Sequence, residues 1–345
     1  MRILFLALLA AVELCGTDAR KLALETAAQA DFDLVLTAPP ELAAATKCLQ
    51  SQAMLLAVAT PEETPSIVFR KAYCQLANAA VTQNRTALGQ AAETFDEAIA
   101  DGEAASGKQK TPFNIPSTWR TLASIARLNA GAPPESQEQA LSRAVDADAE
   151  DWSGCHGNAA AVEFCHSVHQ LGSAWLGWIA LQRGDPFAAE RLFANGNTPA
   201  WTKWVAGMSA YRQGNYADAA ADYGQAIGMW REARPDSLVR EMSPRQAMSE
   251  ALADWGGAQL AANDPNGALT NLDAAVKTDS TNARALYLRG LAKQHLGRND
   301  AALDDLNLAS RAAFSKNGDA GAAEGRLYRG ISLYWRKEFM RAEDE

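Results

Sequence analysis

The sequence predicts an all-α fold, a right-handed solenoid of antiparallel helix pairs. Three observations carry that expectation. Hydrophobic residues fill 48% of the 345 positions. Alanine dominates them, and no strand-like blocks of Val, Ile and Thr occur, which favours helix throughout. A glycine is followed twelve residues later by an alanine in five places: Gly177/Ala189, Gly207/Ala219, Gly256/Ala268, Gly290/Ala302 and Gly330/Ala342. Between the members of each pair lies turn chemistry: QRGDP, RQGNY, AANDPNG, HLGRND and RKEF.

Taken in chain order, the N-terminus carries a positive Arg2, an apolar run from Ile3 to Val12, and a small residue at Ala19. That pattern predicts a secretory signal over 1–19, cleaved near Ala19, and a periplasmic or secreted mature chain. The apolar run is too short to span a bilayer. Residues 20–150 then read as N-terminal helix hairpins with a degenerate signature. One helical run begins near Pro40 and the next follows the TPEETP break. Ala91, Phe95 and Ala98 copy the second half of the repeat, with Ala79 in the glycine's place. STWRTLASIARLNAG and PPESQEQALSRAVDAD read as one further pair. Residues 151–345 form the main array, interrupted by an insertion over 228–244. The chain stops at FMRAEDE, a few residues into a second helix, which reads as a fragment or frayed end.

Within the array, a large residue follows each of the first four alanines at +4 and a small one at +7: Phe193/Gly196, Tyr223/Ala226, Leu272/Ala275 and Leu306/Ala309. This resembles the tetratricopeptide repeat family, whose pattern places Leu-Gly in a first helix, a turn, and Ala-x3-Phe-x2-Ala in a second. Gly256 to Gly290 spans the family's 34 residues, while the other spacings are 30, 49 and 40. The physical expectation is that two helices approach closely where both carry small side chains. The +4 residue would then fill the hollow formed with the next helix, and stacked neighbours would cover each hairpin's apolar face.

The resemblance also implies a working surface. In such repeats the first helix lines a concave groove. Counting the glycine as position eight, the lining residues here are Trp178, then Trp201, Trp204, Met208, Tyr211 and Arg212, then Arg284 and Tyr287, then Tyr334 and Trp335. An aromatic groove suits a protein or peptide segment. Equally, these rings could pack between repeats or beneath the inserted segment. The Lys/Asn pair with which some relatives clamp a terminal carboxylate is replaced by Trp204 and Met208.

Four cysteines remain after the proposed cleavage, an even number suggesting two disulfides in an exported chain. Three pairings are possible, and Cys48–Cys74 across one hairpin is the simplest. In CHGNAAAVEFCHSVH, Cys155 and Cys165 would form the other bridge. The alternative there is a metal site using Cys155, Cys165, His169 and either His166 or His156. The net charge of −9, with no Lys/Arg run above two residues, argues against nucleic acid. No phosphate loop, nucleophile elbow or cofactor signature is present. The expected function is therefore a non-enzymatic binding scaffold.

Overall fold

The structure is a computed structural model that describes residues 2–37, 41–106, 117–150, 159–232, 245–315 and 319–337. Among these residues it is all-helical: fifteen helices and no strand. The helices are α1 (Arg2–Thr37), α2 (Leu42–Leu56), α3 (Thr64–Thr82), α4 (Arg85–Ser106), α5 (Ser117–Ala130), α6 (Pro134–Glu150) and α7 (Ala159–Gln182). They continue with α8 (Pro186–Asn195), α9 (Pro199–Arg212), α10 (Tyr216–Glu232), α11 (Arg245–Ala261), α12 (Pro265–Thr278), α13 (Ala283–His295), α14 (Asn299–Phe314) and α15 (Asp319–Trp335). Among the described residues two compact units result, one running through Ile179 and the other beginning at Ala180. The break lies inside α7.

In each unit, helices pack chiefly on their sequence neighbours, α1 on α2, α2 on α3 and so on to α5 on α6, then α8 on α9 through to α14 on α15. Contacts between alternate helices, α11 on α13 for example, close the stack. This is the solenoid arrangement, in which a hairpin is stable only against the next one.

The turns explain the regular spacing. Gly184, Gly214, Asn263, Gly297 and Lys337 all have positive φ, between 64° and 79°. Each lies seven residues after the array's glycine, at Gly177, Gly207, Gly256, Gly290 and Gly330. A left-handed residue ends the first helix and reverses the chain, and Gly or Asn tolerates that conformation best. The following residue then donates its N–H to a carbonyl five residues back: Asp185 to Ala180 at 2.9 Å, Asn215 to Ala210 at 3.0 Å, Asp264 to Gln259 at 2.8 Å and Arg298 to Lys293 at 2.9 Å. Asp185 and Asp264 next cap the second helix, accepting from Ala188 N (2.9 Å) and Gly267 N (3.0 Å). Pro186 and Pro265 start those helices with a preset φ.

The alanine face is buried as the spacing requires. Ala189, Ala219, Ala226, Ala268, Ala275, Ala302 and Ala309 expose nothing, while Ala217 and Ala221 face solvent. The +4 residue lies closer to home than expected. A methyl added at Gly207 would sit 2.7 Å from the Tyr223 ring, and one at Gly256 would sit 2.5 Å from Leu272 Cγ. The large residue thus covers the glycine of its own hairpin, because a bare backbone is the only surface that admits a ring or isobutyl group so closely. At Gly290 the contact is with backbone: the methyl would lie 3.2 Å from the Ala302 carbonyl oxygen.

The first unit departs from the expected register. In the α3–α4 hairpin the left-handed residue is Gln83 (φ 53°), seven after Leu76, so Ala79 does not occupy the glycine's structural place. Ala79, Ala91, Phe95 and Ala98 are all fully buried nonetheless. Aromatic stacking joins successive helices there: Phe69 of α3 meets Phe95 of α4 at 5.6 Å and Trp119 of α5 at 4.6 Å. Gly172 of α7 lets that helix lie against Val145 and Thr121. A Cys48–Cys74 disulfide, with 5.9 Å between the Cα atoms, staples α2 to α3 as the local pairing required.

Candidate functional site

Three first helices of the second unit, α9, α13 and α15, carry most of the positions expected to line a groove. The structure divides those positions into two sets. Trp201 and Trp204 of α9 are 6% and 1% exposed, and Trp178 of α7 is 2% exposed. In this structure these three rings are buried, which is the packed arrangement left open by the sequence beside the groove-lining one. For Trp201 and Trp204 the cover is a ring that the sequence spacing did not assign. Trp230 stands near the end of α10, in what reads as the start of the insertion. It approaches Trp201 at 5.0 Å and Trp204 at 5.9 Å, both edge-on. Phe193 stacks on the other side of Trp201 at 5.2 Å. Four rings therefore shield one another, each pair adding about 0.5–1.5 kcal/mol beyond its burial. The remainder of the insertion, 233–244, lies outside the described residues.

Burying Trp204 requires a partner for its indole N–H. Nε1 donates to Asp254 Oδ2 of α11 at 3.0 Å. Asp254 is itself buried, and its other oxygen pairs with Arg284 of α13. The Asp254 charge raises the Arg284 pKa against the opposing effect of burial. Tyr223 is pushed up as well, first by burial and then by Asp254. Two expected groove residues, Trp204 and Arg284, thus converge on one carboxylate that holds α9, α11 and α13 together. A second buried carboxylate, Asp305 of α14, is held by Arg289 through Nε (2.8 Å) and Nη2 (2.6 Å), and by Lys293 Nζ at 2.6 Å. Buried carboxylates need such pairing to remain charged.

The second set faces outward. Arg212 is exposed, and Met208 and Tyr211 are half-buried, with Tyr211 edge-on to Tyr216 at 5.2 Å. Tyr287 is half-buried and stacks on Tyr328 of α15 at 4.7 Å. Trp335 is half-buried, and Tyr334 is 61% exposed. Leu327, 58% exposed, lies seven residues before Tyr334 and so on the same face of α15. The count that placed Tyr334 also places Leu327, at position five of its repeat.

These hairpins resemble those of the tetratricopeptide repeat: a repeated glycine, a left-handed turn and a buried alanine, with a large residue closing the crossing. Among the described residues, no group of three or more His, Cys, Asp and Glu could hold a metal ion. Cys165 is disulfide-bonded, so its sulfur is not a thiolate ligand, and the metal alternative built on Cys155, Cys165, His166 and His169 loses a central donor. Cys155 itself lies outside the described residues. His166 is exposed and His169 half-buried on α7. Burial, and then the neighbouring His166, lower the His169 pKa.

No known family model matches the chain. No curated protein matches it. Among solved structures, MamA from Desulfovibrio magneticus RS-1 (residue 41 to the end) is similar at 19% identity, over 50% of this chain and 90% of that one, with a TM-score of 0.33. The TPR2AB domain of yeast Sti1, in its complex with pHSP90, gives 14% identity, 76% and 98% coverage and a TM-score of 0.30. Human IFIT1, as a dimer with m7Gppp-AAAA, gives 12% identity, 93% and 71% coverage and a TM-score of 0.41. The resemblance to tetratricopeptide hairpins rests on the crossings and turns above, not on these likenesses.

Proposed function

We propose that this tetratricopeptide chain is a non-enzymatic protein-binding scaffold of the cell envelope, and that a partner segment docks along the outward positions of α9, α13 and α15. The observation that carries this reading is the apolar stripe on α15. Leu327 and Tyr334 leave 58% and 61% of their surface in water on a helix whose other face is packed against α14. Tyr287 and Met208 extend apolar surface on preceding first helices, and Arg212 and Arg284 supply charge. Aromatic and arginine side chains together form the usual anchor set of a protein interface. The acidic balance of −9 favours a protein over a phosphate backbone. The envelope setting rests on the signal pattern over 1–19 and on the disulfides at Cys48–Cys74 and Cys165, which suit an oxidising compartment. Residues beyond the expected cleavage point contribute to the fold, through Lys21 with Glu63 and through Leu24 beside Ala28.

The test is a Leu327→Asp/Tyr334→Asp variant in the native host. With helicity and melting unchanged, recovery of the partner should drop about tenfold or more. Recovery at the wild-type level would exclude this face as the docking surface.

A further inference from the structure

The α15 face carries a charge pattern that the docking reading above does not use. From Arg326 to Lys337 the sequence holds four cations and no carboxylate, in a chain of net −9. All four, Arg326, Arg329, Arg336 and Lys337, are exposed. Arg326, Arg336 and Lys337 have no carboxylate partner among the described residues. Glu324, just before them, is engaged within the helix, where it accepts from Tyr328 Oη at 2.6 Å. The opposite face of α15 is fixed on α14: Ser310 Oγ donates to Gly325 O at 2.9 Å, and Ser332 Oγ donates to Asn307 Oδ1 at 3.1 Å.

Helix geometry sorts the outward groups into two lines. Eleven residues make almost three whole turns, so Arg326 and Lys337 lie on one line, about 16 Å apart. Leu327 and Tyr334, seven apart, lie on a second line roughly a quarter-turn round, about 10 Å apart. Ala323 and Gly330 fall between the two lines, so nothing bulky separates the cations from the apolar pair. The spacing selects the backbone of the occupant. In an extended segment, successive residues rise by about 3.3 Å and alternate faces. Separations of about 10 and 16 Å then correspond to about three and five residues, odd numbers that put paired side chains on opposite faces. A helix repeats the seven- and eleven-residue spacings on one face. A phosphate backbone would meet the cations and leave Leu327 and Tyr334 in water.

We infer that the segment docked on α15 is an acidic amphipathic helix of a partner protein. Two apolar side chains, two turns apart, pack beside Leu327 and Tyr334, and two carboxylates, three turns apart, pair with Arg326 and Lys337. The inference rests on the docking reading above and names the chemistry of its occupant. A second copy of α15 is a poor match, because antiparallel pairing sets Arg326 and Lys337 of one chain beside the same cations of the other. Charge complementarity of this kind excludes wrong partners more than it adds raw affinity.

The experiment uses the full chain at low salt. The probe is a lactam-stapled, acetylated and amidated Ala/Gln helix, with glutamates at the spacing of Arg326 and Lys337 and leucines at the spacing of Leu327 and Tyr334. Its lysine counterpart and an unstapled form broken by two prolines are the comparisons. Calorimetry should show the stapled glutamate helix binding at least about tenfold tighter than either. Arg326→Glu/Lys337→Glu should weaken it about tenfold and transfer the preference to the lysine helix. Arg191→Glu/Arg231→Glu makes the same charge change at exposed positions of α8 and α10 and should leave the preference unchanged. No binding of the glutamate helix, equal binding of either comparison, or an equal loss in the Arg191/Arg231 variant would overturn the proposal. So would phosphatidylglycerol-vesicle binding, or self-association in sedimentation, that the Arg326/Lys337 reversal abolishes. Recovery of the native partner separates the two readings. If Leu327→Asp/Tyr334→Asp loses the partner and Arg326→Glu/Lys337→Glu keeps it, the face stands and the acidic helix does not. If both keep it, the face itself is excluded.

Discussion

Consider Gly207→Ala. The added methyl would lie 2.7 Å from Cδ1 and Cε1 of Tyr223 and 3.2 Å from Cγ. Carbon contacts are most favourable near ~3.5–4.0 Å, so the ring must retreat by about 1 Å. It has little room to do so, because Tyr223 is 2% exposed and closes the crossing between α9 and α10. Overpacking of this kind costs about 1–3 kcal/mol, while the substitution itself gains about 1 kcal/mol of helix propensity. A matched control removes the second effect. Gly228 lies in α10 of the same unit, with nothing within 4 Å of a built methyl. Gly228→Ala gains the propensity and meets no atom. The difference between the two variants therefore isolates the crossing, at about 1–3 kcal/mol against Gly207→Ala. Urea unfolding followed by far-UV circular dichroism measures it. Equal midpoints for the two variants would mean that small residues do not set the helix separation, and the packing argument would fail.

Further outcomes follow from the same contacts. Trp201→Ala/Trp204→Ala should melt the second unit instead of selectively abolishing binding. Trp204→Phe alone should cost about 1.5–3 kcal/mol, for a hydrogen bond to a charged group; both are read by thermal and chemical denaturation. Asp305→Ala leaves Arg289 and Lys293, 16% and 18% exposed, without their shared carboxylate, and should cost about 3–5 kcal/mol in the same assay. Reducing Cys48–Cys74, which closes 26 residues, should remove about 3.5 kcal/mol from the first unit, seen as an earlier urea midpoint in reductant that Cys48→Ser/Cys74→Ser reproduces. The folded-state pKa of His169 is lowered by burial, so the unfolded chain binds its proton first. Stability attributable to it is present above about pH 6.5 and is lost as pH falls from there towards the depressed value. His169→Gln should flatten that limb of the pH–stability curve.

Much of the fold was legible because its determinants are short-range and repeated. Gly207 and Ala219 are twelve apart for a mechanical reason: seven residues take the first helix to its left-handed end, and five more bring the next helix back to the crossing. Cys48 and Cys74 were legible because two antiparallel helices of known start set their heights. The register at Gln83 was not, since a left-handed glutamine carries no Gly or Asn to mark it. The candidate surface was read less well. Position counting chose Trp201 and Trp204 as lining residues, but whether a first-helix ring faces water depends on what covers it. Trp230 covers these two from a segment without repeat spacing. Asp254 was visible as a carboxylate but not as the acceptor for Trp204, because its partners lie 50 and 30 residues away in the chain. Leu327 was within reach, since the glycine count gives it directly.

The most direct test of the division between core and working surface is site-specific photo-crosslinking in the native host. A benzoylphenylalanine at Tyr334, Leu327 or Met208 should give one discrete protein adduct shared by all three positions. The same group at exposed Glu93 on α4 should give none. Adducts absent from the three surface positions, or identical at Glu93, would contradict the assignment of this face as the place where a partner binds.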